Sequence, residues 1–135
     1  MNNQIIIALE RRLKALAPTF PTAWDNKDFA VPTGPFQAPQ HLFAEPDDRG
    51  MKDSPYLQRG ILTVVLAYPT NQGSGPANLK AKEIKDWFKR ATTMVADAGF
   101  SVIVERTPEI TGGSVEDGRY IVRVRIRWYA YIDPS

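Results

Sequence analysis

The chain has 135 residues, 43% of them hydrophobic and 24% charged, with a formal net charge of +2. That size and apolar content support one domain with its own core, so folding needs neither disulfides nor a metal. There is no cysteine and only one histidine, His41, which excludes thiolate chemistry, a disulfide framework and any two-histidine mechanism.

Taken in chain order, the first element is a helix. Asn2 or Asn3 can cap it, and Ile6, Leu9, Leu13 and Leu16 recur at helical spacing, with Glu10, Arg11, Arg12 and Lys14 on the wet side. Pro18 ends it, because proline lacks the donor and disfavours helical geometry in the residue before it. The opening residues lack the basic leader and small-residue cleavage site of a signal peptide, and no apolar run approaches the ~20 residues of a membrane span. The expectation is a soluble protein that stays where it is made.

Phe20 to Asn26 reads as a short extended piece whose Trp24 seals the core. From Asp28 to Gln40 the breakers Pro32, Gly34, Pro35 and Pro39 predict no regular element. Gln40 to Glu45 is a short strand candidate. Pro46 to Pro55 is polar and charged, a mobile connection between antiparallel strands.

Tyr56 to Tyr68 predicts a strong strand, apolar on both faces and therefore central in a sheet, or covered by helices on one side and protein on the other. Pro69 ends it, Thr70 to Gly75 is a loop, and Pro76 suits the first turn of a second helix. Ala77, Ala81, Ile84, Phe88 and Ala91 keep helical spacing there, with Trp87 beside them. Lys80, Lys82, Glu83, Lys85, Asp86 and Lys89 take the outer face. Thr93-Met94-Val95 and Phe100 to Arg106, joined at Asp97-Ala98-Gly99, predict a hairpin. Pro108 to Gly118 reads as a long glycine-rich turn.

The chain closes on a long strand, Arg119 to Ile132. Alternation puts Tyr120, Val122, Val124, Ile126, Trp128, Ala130 and Ile132 on one face, while the other carries Arg119, Ile121, Arg123, Arg125, Arg127, Tyr129 and Tyr131. At roughly 3.3 Å per residue the run spans about 40 Å, well beyond an ordinary strand. It either bends or serves something outside the subunit. Helix, strands, helix and strands with hairpin-like connections define an α+β fold, a mostly antiparallel sheet with two helices packed on it in a single domain.

Few residues invite chemistry. Asn71 to Pro76 precedes a helix, but it lacks the Lys-Ser/Thr pair of a phosphate-binding loop and Pro76 removes a donor. The acids Glu45, Asp47, Asp48 and Asp53 depart from calcium-loop spacing, and Arg49 and Lys52 sit among them. His41 has no serine or cysteine motif near it. No nucleophile elbow, metal pair or dinucleotide fingerprint occurs, so the expectation is a non-enzyme without cofactor or metal.

The arginine face carries two readings. A wet sheet face bearing charge that blocks edge-to-edge addition is one. The other is a partner surface, because arginine fills every charged slot beside Tyr129 and Tyr131, and its planar fork suits carboxylates and phosphates. Carboxylates of a neighbouring subunit and phosphates of nucleic acid both fit that chemistry.

The first helix ending at Leu16-Ala17-Pro18, followed by Thr22-Ala23-Trp24-Asp25-Asn26, resembles the opening of the small tail terminator (tail completion) proteins of long-tailed bacteriophages and prophages. Tyr56-Leu57-Gln58-Arg59-Gly60-Ile61 running into Val64 to Pro69, then Val102 to Ile110 and Asp117 to Val122, are similar in the same order. The resemblance implies a structural virion protein that assembles as a ring, typically hexameric, on the head-proximal end of the finished tail tube. There it stops tube polymerisation and presents the surface for head joining. Implied partners are further copies of itself, the tail tube protein and head–tail connector proteins, with DNA passing through the lumen and no membrane; assembly takes place in the host cytoplasm. On this reading Arg123, Arg125, Arg127, Tyr129 and Tyr131 are the candidate subunit or tube interface, and Asp47, Asp48, Arg49, Lys52 and Asp53 a mobile assembly loop that orders on assembly. The alternatives are a neck or tail-tube component of the same particle, and a nucleic-acid-binding module using the basic closing strand.

Overall fold

The computed structural model describes residues 2–24, 29–45, 56–71 and 73–132. Two helices, α1 (Asn2–Leu16) and α2 (Gly75–Trp87), pack on one face of a six-stranded antiparallel sheet. Its strands are β1 (Phe36–Phe43), β2 (Tyr56–Pro69), β3 (Thr93–Val95), β4 (Ser101–Val104), β5 (Glu109–Glu116) and β6 (Arg119–Ile132). The order across the sheet is β1-β2-β6-β4-β3, and β5 pairs with β6 off this path. This is the α+β architecture that the sequence predicts. No helix among the described residues is long and apolar enough to cross a membrane.

The two long strands form the spine. β2 and β6 pair along their whole length, from Tyr56 opposite Ile132 to Pro69 opposite Arg119. Directly opposite residues share a face, so Leu62 with Ile126, Val64 with Val124 and Leu66 with Val122 form three adjacent apolar rungs, all fully buried beneath the helices. From α1, Ile5, Ala8, Leu9 and Leu13 close over them, and from α2, Ala77, Ala81 and Ile84, with Phe88 just past its end. The α1 stripe starts at Ile5, one position before the Ile6 of the sequence reading; Ile6 is only half-buried. Each fully buried aliphatic side chain contributes roughly 1.5–3 kcal/mol, so the core lies between helices and sheet, on the even-numbered face of β6.

Four departures from the sequence reading have physical reasons. β1 begins at Phe36 and runs through Pro39, where the breakers predict none. The Gln37 N–H and C=O bond outward to Pro21 and Ala23, at 3.0 and 2.8 Å. Alternation therefore turns the Pro39 nitrogen outward too, where no partner strand needs a donor. α2 ends at Trp87 rather than reaching Ala91. Ala91 is left-handed, at φ 70°, and its N–H is taken by Val104 O at 2.9 Å. Lys80, assigned to the outer face, is instead 8% exposed, with its ammonium 4.4 Å over the Phe20 ring. Burial lowers its pKa, against the opposing pull of Glu83.

The fourth departure matters most. The predicted turn from Pro108 to Gly118 is a strand, β5, whose eight residues are all exposed. Asp117 (φ 50°) and Gly118 (φ 75°) form the two-residue connection into β6, with Glu116 opposite Arg119. Positive φ at both positions is the hairpin turn that Asp-Gly favours.

The candidate assembly surface

One face of the sheet has no helix over it. β2 places Ile61, Thr63 and Val65 there, all half-exposed, and β1 adds Leu42, 65% exposed. β6 contributes its odd-numbered residues, which include the five predicted interface side chains Arg123, Arg125, Arg127, Tyr129 and Tyr131. Alternation along β6 puts the sequence-selected residues on this open surface, and strand pairing sets the apolar β2 residues beside them. The candidate loop residues Asp47, Asp48, Arg49, Lys52 and Asp53 lie outside the described residues.

Those arginines differ from one another in a way the sequence did not reveal. Arg123 makes a bidentate pair with Glu116 of β5, at 3.0 and 3.1 Å. Arg127 pairs with Glu109, at the other end of the same strand. Arg119 turns to the backbone, donating to the carbonyls of Gly34 (2.8 Å) and Pro32 and stacking on Phe36. It thereby fastens the proline-rich approach to β1. Arg125 is exposed and makes no ion pair with a described residue. The Arg123 hydrogen bonds, then that from Ser114, hold the Glu116 carboxyl below its ordinary pKa, and Glu116 in turn raises that of Arg123.

These intrachain pairs reduce the uncompensated charge of a strand that looks strongly basic in sequence. Sequence reasoning missed Glu109 and Glu116 because the Gly112-Gly113 pair hides the strand between them. The ladder shifts register between Thr111 and Ser114, which breaks the alternation that marks a strand. The Asp-Gly pair was the usable signal.

Beside Arg127 the open face dips into a shallow cavity of about 380 Å³, lined among others by Arg59, Ile61, Glu105 and Arg106. Arg59 Nε lies 3.2 Å from Glu105, and Arg106 Nε lies 3.7 Å from the same carboxylate. Tyr129 and Tyr131 meet edge to face at 6.1 Å, with Tyr131 62% exposed. His41 lies on the opposite, helix-covered side, its ring 3.0 Å from Glu10 of α1. It is thus a packing residue joining β1 to α1. No metal-holding group of acids and histidines occurs among the described residues.

The class this defines is a small single-domain α+β protein whose polar chemistry is spread over an open sheet face rather than gathered in a cleft. The chain belongs to the phage tail terminator protein family, whose model matches residues 4–128, from the first turn of α1 to Trp128 in β6. The family assignment gives the protein a structural role in the virion tail. A solved structure that carries no functional name is similar over 100% of this chain and 99% of its own, at 25% identity and a TM-score of 0.79. A search of curated proteins gave no match.

Proposed function

We propose that this protein is the terminator of a phage tail. Copies of it form a ring at the head-proximal end of the tail tube, stop further tube polymerisation and offer the surface to which the head joins. Its partners on this reading are other copies of itself, the tube protein and the head–tail connector proteins, with DNA passing through the lumen. The observation that carries the reading is the family match over residues 4–128, which takes in both helices and the β2–β6 spine. The open sheet face supports it, because half-exposed apolar residues beside arginine and tyrosine suit a protein neighbour.

The test is electron microscopy of tails assembled with and without the protein. Overlong tubes in its absence, returning to fixed length when it is added, are the expected result. Tails of normal length that fail to join heads would overturn tube termination and assign a neck role instead.

A further inference from the structure

β5 is an outer strand with little to guard it. Its paired edge faces β6, and its other edge meets no strand among the described residues. Natural sheets protect such edges with outward charge, proline or cover. Between its terminal glutamates, β5 reads Ile110-Thr111-Gly112-Gly113-Ser114-Val115, without charge or proline, with Val115 66% exposed and Ile110 38%. The glutamates are turned back onto Arg123 and Arg127 of the same subunit. The Gly112-Gly113 irregularity is the only blunting device on the strand.

The far edge of the same sheet is β1, separated from β5 by β2 and β6. The segment at Pro21 to Ala23 covers β1 at Gln37, and Pro39 offers no donor. Beyond Pro39, the His41 and Phe43 backbone groups point outward by the same alternation. No Asp, Glu, Lys or Arg occurs in β1, and Leu42 is 65% exposed. β3 does not serve as well, because it is three residues long and lies on the same side of β6 as β5.

We infer that the β5 edge of one subunit pairs with the β1 edge of the next, so that the sheet continues from copy to copy around the ring. The inference rests on the ring reading above and names its contact. Opposite edges of one sheet make a heterologous contact, which propagates in one direction and closes by rotation. Three antiparallel steps separate β1 from β5, so the two run in opposite directions. Rotation about an axis to which the strands are tilted, as closure of a sheet into a barrel requires, preserves those directions and offsets the register along them, and the new pair is antiparallel. Within one subunit Thr111 is level with Ala38, and an offset of about four residues per subunit sets the start of β5 against the end of the neighbouring β1, beyond the covered Gln37. Arg125, opposite Glu109 in register, then lies about two strand spacings, roughly 9.6 Å, from the neighbouring β1. That strand runs on into exposed Glu45, giving opposite charges at the junction.

The test uses the absence of native cysteine. Thr111 and Leu42 both face the open side, by their register with Arg123 and Ile61. A Thr111→Cys/Leu42→Cys chain is treated with a short bis-maleimide, free and on tail tubes, alongside native mass measurement. The expected result is a ladder of covalent multimers ending at the ring number, absent from both single-cysteine chains. Val115→Lys, an exposed change that leaves the fold intact, is expected to reduce ring formation at least tenfold. Rings that form normally in Val115→Lys and give no ladder would overturn the edge pairing while leaving the ring standing. Dimers from either single-cysteine chain would show like edges meeting and would also overturn it. Monomers under every condition, tubes included, would overturn the ring reading and this contact with it.

Discussion

Arg12 of α1 and Trp87 of α2 hold each other at two points. The Arg12 Nη2 donates to the Trp87 carbonyl oxygen at 2.8 Å, and the Trp87 Nε1 donates to the Arg12 carbonyl oxygen at 2.8 Å. Between these bonds the guanidinium lies 4.2 Å from the indole centroid. The clasp joins the two helices at the end of α2, where otherwise unsatisfied carbonyls accumulate.

This geometry makes the pair non-additive. Trp87→Phe keeps a ring under the guanidinium and loses one hydrogen bond, for about 1 kcal/mol. Arg12→Ala removes the stacking and the other bond, for about 1–3 kcal/mol. A double-mutant cycle by urea unfolding should give a coupling energy above ~0.5 kcal/mol. Additive losses would mean that the two side chains act independently.

Gly60 stands opposite Trp128 in the β2–β6 ladder. A Cβ at this position would overlap the Trp128 ring and lie 2.6 Å from the Leu42 carbonyl oxygen. Gly60→Ala should cost about 1–3 kcal/mol through overpacking. The loss should shrink in a Trp128→Leu background, where the smaller side chain leaves room. Thermal unfolding of the four proteins checks this, and an equal loss in both backgrounds would place the strain at Leu42 instead.

Glu116 titrates below an ordinary glutamate because Arg123 donates two hydrogen bonds to it. A depressed folded-state pKa contributes stability that is present above the unfolded value, 4.5, and is lost as pH falls through the folded one. In carboxyl NMR the Glu116 midpoint should therefore fall below 4.5 and move up towards it in Arg123→Ala. An unchanged midpoint in the variant would remove Arg123 as the cause.

Arg125 can be separated from its neighbours. It is exposed and makes no ion pair with a described residue, whereas Arg123 and Arg127 tie β5 to β6. Arg125→Ala should change stability by less than ~0.5 kcal/mol and yet weaken capping of tail tubes at moderate salt. Arg123→Ala and Arg127→Ala should instead speed amide exchange along β5. Unchanged capping in Arg125→Ala would leave that arginine as a solvated charge.

Much of the architecture was legible before the structure. Strand β2 is a long apolar run and β6 alternates cleanly, so Val122, Val124, Ile126 and Trp128 were identifiable as core anchors from period alone. The hairpin near Asp97-Ala98-Gly99 was equally clear. One strand, β5, was missed and another, β1, was recognised only from Gln40 onward, where local signals mislead. Pro39 reads as a breaker unless the strand is known to be an edge, and Gly112-Gly113 interrupts the alternation of β5. The same omission concealed the acids that engage two of the candidate arginines.

The sequence by itself determined the fold class, the apolar face of the closing strand and a chain poor in catalytic groups. Periodicity and composition are local properties, and a chain carries them before it folds. Only the tertiary structure decided how the arginines differ: Arg119 bound to carbonyls, Arg123 and Arg127 neutralised by β5, and Arg125 left exposed. That difference depends on which strand lies beside β6 and in what register, and a repeating Arg-x-Arg pattern contains no record of its neighbours.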